Sequence, residues 1–181
     1  MEKSGFGKPA EAESYKFEPE ISDEEVNRVE KEAYRAWEKF SSKKPEEMTI
    51  EATVEWLTAG EAYTRKKSLK PETEEPREKF FWGERWTKYK EALDGATGRG
   101  DKDKTIKLLK EQGELFQKAA DRGAQDLEEG EITLPNELYV VSTFEHIASQ
   151  SQQISGWKRA AENLRVATRL FENQPDWKVG K

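Results

Sequence analysis

Phe80-Phe81-Trp82-Gly83-Glu84-Arg85-Trp86 sets four large rings within seven residues of a chain that is 38% charged. At 3.6 residues per turn, Trp82 and Trp86 share one stripe, and Tyr89 and Leu93 extend it with 4-3-4 spacing. The pattern predicts a helix from about Pro76 to Leu93, with Pro76 at the first position, where its missing N–H costs nothing. Phe81 then lies about 100° off the stripe and Phe80 roughly opposite it. Rings on two sides of one helix require either burial between two layers or a docking surface for another molecule. The stripe accounts for Trp82 and Trp86 as core. The exposure of Phe80 and Phe81 decides between the two readings.

The same 3-4 spacing recurs on either side of this stretch. Ser22 followed by Glu25 forms a capping-box pattern, and Val26, Val29, Ala33, Trp37 and Phe40 make one buried face that ends near Ser41-Ser42. A second helix is expected to begin at Pro45, with Glu46 and Glu47 in its first turn. It carries two stripes, Ile50/Val54/Leu57 and Ala52/Trp56/Ala59/Tyr63, and Arg65-Lys66-Lys67 close it where the helix dipole favours cations. Residues 68–76 read as a linker. Beyond the aromatic stretch, 94–100 is a glycine-rich turn and Asp101 is placed to cap a helix. That helix buries Ile106, Leu109, Gly113, Phe116, Ala120, Ala124 and Leu127, with Leu108 and Leu115 opposite. After a connector at 129–135, a long helix is expected over 136–172, roughly 55 Å if straight. Its seam is Val140, Phe144, Ile147, Ser151, Ile154, Trp157, Ala161, Leu164, Thr168 and Phe171. The polar run 149–153 and Gly156 predict a kink or break there, and Asn173 and Pro175 end the helix.

No strand or fixed-period repeat stands out, so the reading is all-α. It is a four- or five-helix bundle over 22–172, with an extended N-terminal arm at 1–21, a long C-terminal helix and a short tail at 173–181. The 8 Phe, 6 Trp and 5 Tyr compensate for an apolar content of only 34%.

Net charge is −6, from 37 acids against 31 bases, and the bases are interleaved with acids. Nucleic acid is therefore an unlikely partner, since phosphate binding rests on clustered Lys and Arg. With no cysteine, disulfides, thiolate metal sites and cysteine nucleophiles are excluded. No apolar run is long enough to span a membrane, and the first residues lack an apolar signal core, so a soluble cytoplasmic protein is expected.

Candidates for chemistry are few. The single histidine, His146, beside Glu145, has no second histidine with which to build a metal site, and reads as a helix-surface residue. The turn at 94–100 lacks the Gly-Lys-Ser/Thr ending and the preceding strand of a phosphate-binding loop. Glu61 lies on the Ile50/Val54/Leu57 stripe, where a buried acid would need a partner or have a raised pKa, and it reads as the point where the stripe leaves the core. Arg165 and Arg169 make either a small anion patch or a solvated helix end. No catalytic, cofactor-binding or metal-ligating residue is assigned, and the chain is read as a non-enzyme.

What remains is aromatic: Phe6, Tyr15 and Phe17 in the arm, Phe80 and Phe81, and Trp177 beyond the last helix. These six are the candidate partner-binding residues of a helical adaptor or accessory subunit that recognises a protein partner or a larger complex. Rigid rings suit this role because they recover the ordering cost of binding. One alternative is a structural component of a large assembly, of the virion or light-harvesting type, which defined self-assembly would reveal; the sequence leaves the oligomeric state open. Another is a small ligand-binding bundle with an interior pocket around Trp56, Trp86 and Trp157.

Overall fold

Ser22 starts the first helix, α1 (Asp23–Ser42), by accepting the Glu25 N–H on its Oγ at 3.2 Å. The reciprocal half of the capping box is not made, because the Glu25 carboxylate reaches Lys66 Nζ on the second helix at 2.5 Å. The computed structural model describes residues 21–70, 75–129, 150–174 and 176–177, and every regular element among them is helical. The bundle comprises α1, α2 (Ile50–Leu69), α3 (Pro76–Ala96), α4 (Lys102–Glu129) and α5 (Gln150–Asn173). The expectations for the arm, including Phe6, Tyr15 and Phe17, for 136–149, including His146, and for 178–181 lie outside the described residues.

The second helix starts later than Pro45. Residues Pro45–Glu47 form a separate 3-10 turn, Met48 dips into the core, and Thr49 caps α2 by accepting the Ala52 N–H at 3.2 Å. Proline followed by two acids suits the first turn of either helix type, but only Thr49 offers a side-chain oxygen to the free N–H groups. The third helix runs past Leu93 to Ala96. It stops where Gly98 takes φ 77° and the Arg99 and Gly100 N–H groups both donate to the Asp94 carbonyl at 2.8 Å. Asp101 caps α4 through the Asp103 N–H at 2.9 Å. From Gln150 onward α5 is continuous through Gly156, without the break expected there, while residue 149 lies outside the described residues.

Paired residues fix an up-down order. Lys39 meets Glu55 at 2.7 Å and Tyr63 donates to Glu30 at 3.1 Å, so α1 and α2 are antiparallel. Trp86 reaches Glu61 from α3 to α2, and Lys104 reaches Glu91 from α4 to α3. On α4, Gly113 faces Leu164 and Ala161, while Gly123 faces Trp157 and Ile154, so α5 runs opposite to α4. At Gly123 a Cβ would come within 2.9 Å of Trp157, so this glycine lets the helices approach, whereas at Gly113 a Cβ would make only ordinary contact at 3.5 Å. The seam Ile154, Trp157, Ala161, Leu164, Thr168 and Phe171 is buried throughout, as its spacing predicts.

The apolar interior is in two parts. The larger contains Trp37, Phe40, Trp56, Leu57, Tyr89, Leu109, Phe116, Trp157, Leu164 and Phe171; a smaller one consists of Val26, Val29, Tyr63 and Trp82, with Ile21 and Ala33 packed on it. Rings dominate the first: Trp37 stacks on Phe116 at 4.9 Å, and Phe40 on Trp56 at 4.9 Å. Burying each such side chain stabilises the fold by roughly 1.5–3 kcal/mol.

Candidate functional site

The aromatic stretch of α3 divides between core and surface. Trp82 is 7% exposed and sits edge-on to Tyr63 at 5.6 Å, whereas Phe80 is 68% and Phe81 41% exposed. Trp86, although on the Trp82 stripe, is only half-buried: its Nε1 donates to Glu61 Oε1 at 3.0 Å on the flank of the α2–α3 pair. Glu61 thereby finds its partner, with Arg65 Nε at 3.4 Å as a second. Trp177 is half-buried against the larger core, its backbone N–H bonded to the Gln174 carbonyl at 3.1 Å, so its indole belongs to the domain's own packing.

Among the described residues, the large hydrophobic side chains left exposed are Leu69, Phe80 and Phe81. All three lie at one end of the bundle. Tyr63 is opposite Trp82, so the antiparallel register carries Leu69, near the end of α2, alongside the first turns of α3. The chain also enters the described structure at this end, where Ile21 packs on the Trp82 cluster.

Arg85 organises the surface behind these rings. Its guanidinium lies 6.0 Å from the Phe81 ring centroid, 5.8 Å from Trp82 and 5.7 Å from Tyr89, within cation–π range of all three. It therefore joins the small cluster to the large one. Arg85, Tyr89 and Gln112 line two adjoining hollows. One, of about 50 Å³, lies among α1, α2, α3 and α4, with Trp37, Trp56 and Phe116 on its walls. The other, of about 140 Å³, is a groove between α3 and α4 lined by Phe81, Leu108 and Leu115, with Glu84, Lys88 and Glu111 along it. The interior pocket expected around Trp56, Trp86 and Trp157 is thus differently composed. Trp56 lines it, but Trp86 faces Glu61 and Trp157 is in the α4–α5 seam.

Burial pushes the Tyr63 phenol above its ordinary value, and the Glu30 carboxylate that accepts its hydrogen bond adds to the rise. Among the described residues no group of three or more histidine, aspartate or glutamate side chains could hold a metal ion, and no helix is long and apolar enough to cross a membrane. Arg85 and Gln112 escape a reading by stripes. The one available signal is the position of Arg85, three and four residues from Trp82, Phe81 and Tyr89, which puts its side chain among rings on the same face.

No family model, curated protein or solved structure matches this chain.

Proposed function

We propose that this protein is a non-enzymatic helical adaptor that docks a protein partner through the ring-bearing end of α3. The observation that carries this reading is the exposure of Phe80, Phe81 and Leu69, the large hydrophobic side chains left exposed among the described residues, towards one end of the bundle. Aromatic anchors surrounded by polar groups are the usual energetic centre of a protein interface. Here Arg77, Lys79 and Glu84 supply the charged rim, all exposed. The arm, with Phe6, Tyr15 and Phe17, joins the bundle at Ile21 beside the same cluster and is proposed to extend the contact.

The test is affinity capture from the native host with the full chain and with the Phe80→Ser/Phe81→Ser variant, followed by reconstitution with the purified partner. A stoichiometric partner lost in the variant, and rebound by the purified wild type, is the expected result. An unchanged set of captured proteins would refute the reading. Self-association in light scattering that the same variant abolishes would instead assign the face to assembly of like chains.

A further inference from the structure

We propose that the hollow behind Arg85 binds a small monocarboxylate with an apolar tail, at a site that adjoins the docking face at Phe81 but does not involve Phe80 or Leu69. Three observations converge on it. Arg85 is partly buried; its guanidinium lies over three rings and its charge acts on the Tyr63 phenol, but among the described residues it has no carboxylate partner and no hydrogen-bond acceptor. Cation–π contact leaves the N–H donors of a guanidinium free to bind an anion. Gln112, also partly buried, likewise makes no hydrogen bond among the described residues. Both side chains line the same hollow and the groove beside it.

Among the described residues the buried Trp157 Nε1, Asn163 Oδ1 and Trp177 Nε1 also lack a hydrogen-bond partner, but other polar groups within the bundle are paired. Tyr63 has Glu30, Trp86 has Glu61, and Thr105 has the Ala92 carbonyl at 2.5 Å. A cation drawn partly out of water without an anion is half of a pair, and the planar fork of Arg85 matches a carboxylate. The Gln112 amide can donate a further hydrogen bond to the same group.

The walls define the rest of the ligand. Trp37, Trp56, Tyr89 and Phe116 are apolar and rigid, so they favour a hydrocarbon or planar ring over a polar tail. About 50 Å³ holds only a few heavy atoms, and the adjoining groove of about 140 Å³ extends the room. That admits a short aliphatic chain or a single ring and excludes a nucleotide or a long acyl chain. The charges nearby favour a monoanion: Lys88 lies 3.9 Å from Glu111, and Glu84 and Glu111 add negative potential along the groove, which opposes a dianion such as phosphate.

The experiment titrates the full chain with butyrate and benzoate, with butanol and benzyl alcohol as neutral counterparts, and with inorganic phosphate. Tryptophan fluorescence and the indole N–H resonances of Trp37 and Trp56 are the readouts. A carboxylate is expected to give a saturable shift, with the neutral counterparts and phosphate at least about tenfold weaker. Arg85→Met should weaken binding by about tenfold or more, and Arg85→Lys by less, because one point charge replaces the fork. Gln112→Leu leaves the guanidinium in place and should weaken binding by about threefold or more, so the proposal stays testable if Arg85→Met folds poorly. Phe80→Ser should bind as the wild type does, which separates this site from the docking face. The proposal is overturned by no saturable shift up to about 50 mM of either carboxylate. Equal affinity for the neutral counterparts or for phosphate overturns it too, as does undiminished binding by the Arg85 and Gln112 variants.

Discussion

Asn163 on α5 donates through Nδ2 to the Phe40 carbonyl on α1 at 3.1 Å, a hydrogen bond across 123 positions of sequence. The same amide group lies 3.0 Å from the Lys43 carbonyl and 3.4 Å from that of Ser41. These carbonyls are at the end of α1, where the helix has no N–H of its own to offer and no glycine follows to turn the chain back. A buried side chain from another helix therefore completes the end of α1. Asn163→Ala is expected to destabilise the protein by about 1–3 kcal/mol in urea unfolding, and Asn163→Asp by more, since it turns oxygens towards oxygens. A loss within about 0.5 kcal/mol for both would refute this role.

Two glycines of α3 should respond in opposite directions to the same substitution. A Cβ on Gly95 would meet the Asp101 carbonyl oxygen and come within 2.6 Å of Thr105 Oγ1, in the tight turn that joins α3 to α4. Gly95→Ala is expected to cost about 1–3 kcal/mol, because backbone on the far side has to give way. A Cβ on Gly83 would meet nothing within 4 Å. Gly83→Ala should stabilise by about 0.5–1 kcal/mol through helix propensity alone. Chemical denaturation of the two variants decides both signs.

Acid should loosen the start of α1 through two identifiable pairs. Hydrogen bonding and charge from Lys70 hold the Asp23 carboxyl below its ordinary 3.8, and Lys66 chiefly holds that of Glu25 below 4.5. A lowered folded-state value means that the folded state resists taking up the proton. The stabilisation is complete above the ordinary values and is lost as the pH falls through the lowered ones. The variant Asp23→Asn/Glu25→Gln should therefore be less stable than wild type near neutral pH and converge with it in acid. Parallel stability curves from neutral pH to below 3.8 would contradict this.

At the alkaline end Tyr63 behaves in the reverse sense. Its phenol is raised above 10.0, first by burial and then by the Glu30 charge. The folded state keeps the proton longer, so this contribution is complete below the ordinary value and declines as the pH rises towards the folded one. Absorbance titration should show an ionisation above the ordinary tyrosine range, and Tyr63→Phe should remove that step and soften the alkaline loss of stability.

The exposed rings should matter little to the fold itself. Phe80→Ser is expected to change unfolding free energy by no more than about 0.5 kcal/mol. Phe81→Ser should cost somewhat more, because Phe81 sits edge-on to Trp82 at 5.4 Å and beneath Arg85. A large loss at Phe80 would mean that the ring is structural.

Stripes and caps made much of the bundle legible from sequence. Ser22 and Asp101 cap as their positions require, and the buried seam of α5 follows its spacing residue by residue. The start of α2 was misread because Pro45-Glu46-Glu47 satisfies a short 3-10 turn as well as a helix. Spacing also grouped Trp86 with Trp82, since periodicity reports direction and not depth, and the Glu61 carboxylate that holds Trp86 at the flank comes from another helix. The question posed by Phe80 and Phe81 was visible in the sequence, but its answer depends on which faces of α3 the neighbouring helices cover. Arg85 and Gln112, which line one hollow from consecutive helices, and Asn163, which meets the end of α1 from across the chain, are brought together by tertiary packing, which local pattern does not encode.

The division of the interior into two clusters has a kinetic consequence. Val26, Val29, Tyr63 and Trp82 hold together the start of α1, the last turns of α2 and the first turns of α3, while the larger cluster secures the rest. Breathing of that end leaves the larger cluster intact, so amide hydrogens there should exchange through local opening, well ahead of those in the α4–α5 seam. The end that presents Phe80 is thus also the end that rearranges at least cost, and a protein seated on it would slow exchange at that end first.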